Sequence, residues 1–290
     1  MLIAGTLAIS TLAAACNPSS GSDSSADELA EAEVATRYGY DASTATVSPV
    51  YALVPEYRDP NDGYARDLLA EQCLAGVVEY RAILPGSSPN TSLLEERTGQ
   101  SAFNEQIATQ WGYPHLRPPS TVDSAAPDNV EITPAMSEAM TRCGEQADQR
   151  LGVAPERLLI AIEAAGWDAV ATNSEVQRVI EGWRNCMAPA GIIDLPDGPN
   201  DMPPTSVVPS ADGVETVETN VGTPLSDRER EVAVFDARCR AEVGFDRAVL
   251  RARADAELAV IGRDLKSFEA SRKSYQDYAK GIDEVITELG

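Results

Sequence analysis

Five cysteines and a single histidine carry most of the chemistry that this chain of 290 residues could perform. The first, Cys16, closes the run Leu12-Ala13-Ala14-Ala15-Cys16, which ends an uncharged stretch beginning at Met1. A short apolar segment followed by small residues and a cysteine is the pattern of an export signal whose thiol is to be acylated. The stretch is shorter than the roughly 20 residues a helix needs to span a bilayer, so residues 1–16 read as a lipoprotein signal peptide with a lipidated Cys16. One acyl chain holds only marginally, two or three hold stably. The expected location is therefore the outer face of the cytoplasmic membrane, lipid-anchored and extracytoplasmic.

Cys73, Cys143, Cys186 and Cys239 remain. An even number of cysteines in an exported chain argues for disulfides formed in an oxidising space. A zinc site is the rival reading, disfavoured because these cysteines are far apart with no C-x-x-C pair, and because the one histidine, His115, sits in the loop-like Trp111-Gly112-Tyr113-Pro114-His115. Four cysteines allow three connectivities. An internal echo favours one of them. Cys73-Leu74-Ala75 precedes Val77-Val78-Glu79-Tyr80, as Cys186-Met187-Ala188 precedes Ile192-Ile193-Asp194-Leu195; Thr133-Pro134 leads to Arg142-Cys143, as Thr223-Pro224 leads to Arg238-Cys239. Two units of related plan result, bridged Cys73 to Cys143 and Cys186 to Cys239. Loops of this length should each contribute about 4 kcal/mol by chain entropy.

Catalytic devices find little support. A Ser/His/Asp or Cys/His arrangement needs an oriented histidine, and His115 reads as a loop residue. The chain has no G-x-S-x-G, phosphate loop or dinucleotide fingerprint. With 46 acidic residues, some carboxylate pairs must fall at glycosidase spacing by abundance alone. Asp59-Pro60-Asn61-Asp62-Gly63 resembles a cation loop, but its glycine falls one position early and no glutamate stands at the twelfth. This segment and the acidic loop of Asp194, Asp197 and Asp201 read as turns. Trp111, Trp167 and Trp183 stand in helical contexts where burial is the default. No catalytic residue, metal ligand or cofactor site is expected.

A formal net charge of −23 excludes a nucleic-acid binder, which needs cationic patches facing phosphates. The charge is uneven: net −2 over residues 227–290 and −21 before them. The three lysines, Lys266, Lys273 and Lys280, fall in the near-neutral tail at a spacing of seven. Residues 17–33, rich in Ser, Gly and Asp, read as a flexible acidic tether.

The elements that must position these residues are helical. Apolar spacing of three and four predicts helices over Tyr64–Tyr80, Ser101–Trp111, Pro134–Leu151, Pro155–Ala165 and Ser174–Met187. Thr172 with Glu175 and Ser226 with Glu229 give capping-box patterns, and Pro155 suits a first helical turn. Pro114–Pro134 and Pro189–Pro224 read as long proline-rich loops, with one possible strand at Val214–Thr219. In the tail, Leu258, Ile261, Leu265, Phe268, Tyr275, Ile282, Ile286 and Leu289 form a 3-4 stripe interrupted at Arg272, as a coiled-coil seam requires. A helix continuous over 226–289 would run roughly 90 Å at 1.5 Å per residue, although Gly244, Gly262 and Gly281 are places where it could bend. The stripe could cover the protein's own body or meet another chain.

Trp183-Arg184-Asn185-Cys186-Met187, then Gly191, then Ala233-Val234-Phe235-Asp236-Ala237-Arg238-Cys239 and a long charged helix resemble a group of uncharacterised actinobacterial exported proteins and lipoproteins, which share W-x-x-C-M and D-x-x-C segments and a helical C-terminus. The resemblance spans about residues 172–289, with a looser match at Arg37-Tyr38-Gly39-Tyr40 and around Cys73. It implies a Cys186–Cys239 disulfide and a cell-envelope setting, and brings no catalytic residues.

The expected fold is mainly α: an irregular helical body with two disulfides, long proline-rich loops and a long C-terminal coiled-coil-like helix. Residues 34–152 would form a first helical disulfide unit and 153–290 a second. The expected function is a non-enzymatic binding or scaffolding lipoprotein of the cell envelope, with a protein partner or self-association through the C-terminal helix. The alternatives are a ligand-capturing lipoprotein serving a transporter and an envelope enzyme.

Overall fold

The protein is described by a computed structural model covering residues 29–78, 80–82, 84–85, 103–113, 133–208 and 225–290. Cys16, the tether's first residues, His115 and the possible strand at 214–219 lie outside the described residues. Among the described residues there are ten α-helices and no strand. They are α1 (Glu31–Tyr38), α2 (Pro49–Leu53), α3 (Pro60–Leu74), α4 (Glu105–Trp111), α5 (Pro134–Leu151), α6 (Arg157–Thr172), α7 (Ser174–Met187), α8 (Asp227–Val243), α9 (Phe245–Arg263) and α10 (Leu265–Leu289).

Local chemistry sets most boundaries. Asp59 caps α3 by accepting from the Asn61 amide at 2.9 Å, and Pro60 occupies the first turn, where its missing N–H costs nothing. The Asp59–Gly63 segment is thus a helix start rather than a cation loop. Thr133 and Pro134 open α5 in the same way, the Thr133 hydroxyl accepting from Met136 N at 3.2 Å. At α7 the cap is Asn173, which accepts from Glu175 N and Val176 N, not the Thr172 that the sequence pattern suggests. Thr172 is the last residue of α6, and its hydroxyl donates back to Asp168 O. Pro155 likewise lies just ahead of α6, which begins at Arg157.

Ser226 caps α8 by accepting from Glu229 N at 3.0 Å. The reciprocal half of the box is diverted, because the Glu229 carboxylate accepts from the Tyr113 amide at 3.2 Å and so ties α8 to the end of α4. Ser226→Ala should lower unfolding stability by about 1 kcal/mol, with Ser226→Asp restoring it, as read from urea midpoints.

The tail is not one continuous helix. It breaks first at Gly244, whose φ of 71° lies in the left-handed region that glycine tolerates. The second break is at Asp264, which leaves helical geometry and caps α10 by accepting from Ser267 N at 3.0 Å. Gly262 and Gly281 stay inside α9 and α10. The long C-terminal helix is α10, with 25 residues.

The apolar stripe builds the protein's own core. Leu258, Ile261, Leu265, Phe268 and Tyr275 pack with Val34, Tyr51, Tyr57, Leu159 and Ile162 from α1, α2 and α6 and the turn after α2. Ile282, flanked by half-buried Ile286 and Leu289, packs with Ala65 of α3 and Leu151 of α5. Of the two ways to cover this stripe, the structure shows the first: the seam is covered by the same chain. It also carries the main core across the boundary at residue 152, joining residues 34–57 to 254–275. The Arg272 interruption is accommodated at the edge, its guanidinium 5.6 Å from the Tyr38 ring.

Candidate functional site

The two disulfides join Cys73 to Cys143 and Cys186 to Cys239, with Cα separations of 5.7 and 5.6 Å. The first clamps α3 to α5, and the second clamps α7 to α8. Beside the second bridge, one turn earlier on each helix, the Trp183 indole donates to Asp236 at 2.8 Å. Arg228 meets Ala190, Cys239 meets Cys186 and Val243 meets Gly182, so α7 and α8 run antiparallel.

Asp236 is fully buried and is the hub of this region. Besides Trp183, it accepts from Arg240 Nε at 3.0 Å, from Arg240 Nη2 at 3.2 Å and from the Tyr113 hydroxyl at 3.3 Å. Arg240 also donates to the Pro199 carbonyl, and its guanidinium lies 4.7 Å from the Phe103 ring. Burial, then the Asp236 charge, push the Tyr113 phenol well above its ordinary pKa. The hub joins α4, α7, α8 and the Pro199–Asp201 turn, and buried Met187, Met202, Val207 and Val232 pack around it.

A second buried polar centre lies between α6 and α9. Glu163 accepts from the Tyr51 hydroxyl at 2.5 Å and the Tyr57 hydroxyl at 2.9 Å, and pairs with Arg58 Nη2 at 2.9 Å. Burial above all raises the Tyr57 phenol to about 12. Arg58 has φ of 51°, a conformation uncommon outside glycine, and it turns its side chain back over Tyr57. Glu257 accepts from Val50 N at 2.9 Å and from Arg253 at 3.0 and 3.1 Å. Arg253 is itself enclosed, 4.3 Å from the Trp167 ring. Gly166 makes this approach possible, since a Cβ there would stand 2.6 Å from Glu257 Oε1.

No family model, curated protein or solved structure matches the chain. The chemistry must therefore be read from the residues themselves. Asp236, Glu163 and Glu257 each accept several donors from their own chain, the arrangement that satisfies a buried charge rather than one that presents it to a substrate. No group of three His, Cys, Asp or Glu among the described residues is placed to hold a metal ion.

Asp194 closes the loop after α7 on itself, accepting from the Ser206 amide at 2.9 Å, from the Ser206 hydroxyl and from the Thr205 hydroxyl at 3.1 Å. These bonds, led by the Ser206 hydroxyl, hold its carboxyl below the usual range. A lowered folded pKa gives stability that is present above the unfolded value, near 3.9, and is lost as pH falls through the folded one. Acidification below about pH 4 should therefore release the Ser206 amide, an effect absent in Asp194→Asn and readable in an NMR titration. Asp197 pairs with Arg184 at 2.9 Å, and Asp201 ends the Pro199–Asp201 turn, so the three aspartates do not converge.

The remaining expected features are dispersed. Trp183 is buried, while Trp167 is 37 % exposed. Lys273 and Lys280 share Asp277, at 2.8 and 3.2 Å, on a solvated face. A cleft of about 500 Å³ lies between Pro189 and the outer face of α8, lined by Arg228, Glu231, Phe235 and Arg238. Its arginines are engaged by the protein: Arg228 bonds the Ala190 carbonyl, and Arg238 pairs with Glu105. One sequence signal marks the second polar centre: Glu163 is the lone charge in the apolar run Leu158–Trp167.

Proposed function

We propose that the chain is a lipid-anchored, extracytoplasmic binding or scaffolding protein of the cell envelope and not an enzyme. The observation that carries this reading is the commitment of all four body cysteines to two disulfides in a helical body whose buried carboxylates are satisfied by its own donors. Persistent disulfides belong to oxidising compartments. The Leu12–Cys16 pattern supplies the anchor, and the likeness to exported actinobacterial proteins supports the same setting. Because the seam is used by the fold, partners meet outer helix faces instead.

Intact-mass spectrometry of native protein tests the anchor: an acylated N-terminal Cys16 and no free thiol are expected. An unprocessed N-terminus with free sulfhydryls would overturn it. Crosslinking in intact cells tests the scaffold, with a reproducible envelope protein expected as the captured species; recovery of the chain alone would count against it.

A further inference from the structure

One helix surface departs from the acidic character of the molecule. The exposed residues of α6 include Ile160, Ala161, Ala164, Trp167 and Ala171, with Ile160 43 % and Trp167 37 % exposed, and Val153 just before the helix is 85 % exposed. The charges on this face are Arg157 near one end and Asp168 near the other, of opposite sign. In a chain of net charge −23, this face adds no net charge of its own toward an anionic surface. Trp167 has the amphipathic character suited to a membrane–water interface, and its ring is backed by Arg253 at 4.3 Å.

We propose that the outer face of α6 rests on the lipid surface to which the chain is anchored, an inference that depends on the acylation of Cys16. The chain's entry point favours it. The Leu29 amide donates to the Gly262 carbonyl at 3.0 Å, fixing the start of the body at the C-terminal end of α9. Helix α6 runs antiparallel to α9, with Trp167 against Arg253 and Leu159 and Ile162 clustered with Leu258 and Ile261. The Ile160 end of α6 is thus the end near Leu29. Residues 17–28 separate Leu29 from Cys16, and at roughly 3.5 Å per residue Leu29 can lie no more than about 45 Å from the acylated cysteine. A second copy is the weaker occupant, since a stable interface buries about 800 Å² per partner from some 20–30 residues, more than one face of a 16-residue helix supplies. A shallow contact that supplements covalent acyl chains needs far less area.

The test uses full-length protein extracted from membranes, its acylation confirmed by mass, reconstituted into phosphatidylglycerol–phosphatidylcholine vesicles containing lipid with a nitroxide at a shallow acyl position. Trp183 is buried and Trp111 is half-buried, so the part of the lipid quenching that Trp167→Phe removes is the part that reports on Trp167. Roughly a third of the emission, the share of one tryptophan in three, should be quenched, and Trp167→Phe should abolish that loss. Ile160→Glu should reduce quenching about twofold with an unchanged thermal midpoint, by placing a charge on the buried side of the contact. Vesicle flotation without quenching, or equal quenching in Trp167→Phe, would overturn the α6 contact and leave the anchor standing. Native protein without an acyl group on Cys16, or acylated protein that fails to float, would remove the anchor, and this inference with it. A detergent-stable dimer broken by Ile160→Glu would assign the face to a second copy and overturn the lipid reading.

Discussion

Asp236→Ala is expected to destabilise the protein by about 3–5 kcal/mol, the usual cost of removing one member of a buried ion pair. The Asp236 side chain has no exposed surface and its Arg240 partner is 11 % exposed, so solvent cannot replace the lost acceptor. Four donor groups on three residues, Trp183, Tyr113 and Arg240, lose their common partner at once. At 2–4 °C per kcal/mol for a domain of this size, the thermal midpoint should fall by roughly 6–20 °C. Asp236→Asn keeps an acceptor for Trp183 but removes the charge that Arg240 faces, so it should fall between the two. The Asp236→Ala, Arg240→Met pair should cost less than the sum of its single changes, because the second change removes the cation that the first strands. Urea unfolding with the Cys186–Cys239 bridge intact measures all four. A loss under 1 kcal/mol for Asp236→Ala would show that water or another group reaches the hub.

This hub also shows how far the sequence reaches. Trp183, Cys186, Asp236 and Cys239 are legible as two short segments because each holds its pair one helical turn apart, and the cysteines add a covalent constraint. Arg240 stands four residues after Asp236 on the same helix, a spacing that reads like any surface pair, and Tyr113 completes the site from a distant segment that nothing in the sequence links to it. Helices α5 and α7 match the expected spans, Pro134–Leu151 and Ser174–Met187, because a strong cap and a clear period agree there. Helix α3 begins at Pro60 rather than Tyr64, since the Asp59 cap and Pro60 act before the apolar period starts. The break at Asp264 escapes a periodicity argument altogether: the stripe continues through Leu265, while the Asp264 side chain competes with the backbone for the Ser267 amide. A 3-4 repeat states that one face must be covered and says nothing of what covers it. Here five helices of the same chain share the task, α1, α2 and α6 at one end and α3 and α5 at the other.

Arg253 and Glu257 pose the same difficulty in electrostatic form. Four residues apart on a helix, they read in sequence like any solvated surface pair, yet their side chains are 1 % and 0 % exposed. Arg253→Leu should therefore cost about 3–5 kcal/mol near neutral pH, because it strands the Glu257 carboxylate beside the Val50 amide. The loss should also depend on pH. Burial already raises the Glu257 pKa, and Arg253 is the first of the groups that oppose the rise. A raised folded pKa means that stability from this carboxyl is complete below the unfolded value, near 4.3, and is lost as pH rises through the folded one. Without the guanidinium the folded value climbs further, so the deficit of Arg253→Leu should be largest at pH 8 and should shrink toward pH 5, where the carboxyl takes up its proton. Replacing both residues by leucine removes the stranded charge and leaves the Val50 N–H without its acceptor, a cost of about 1–3 kcal/mol that should not vary with pH. Urea midpoints for the two variants at pH 5 and pH 8 decide the matter: parallel losses at both values would mean that Glu257 does not carry the charge that Arg253 is there to balance.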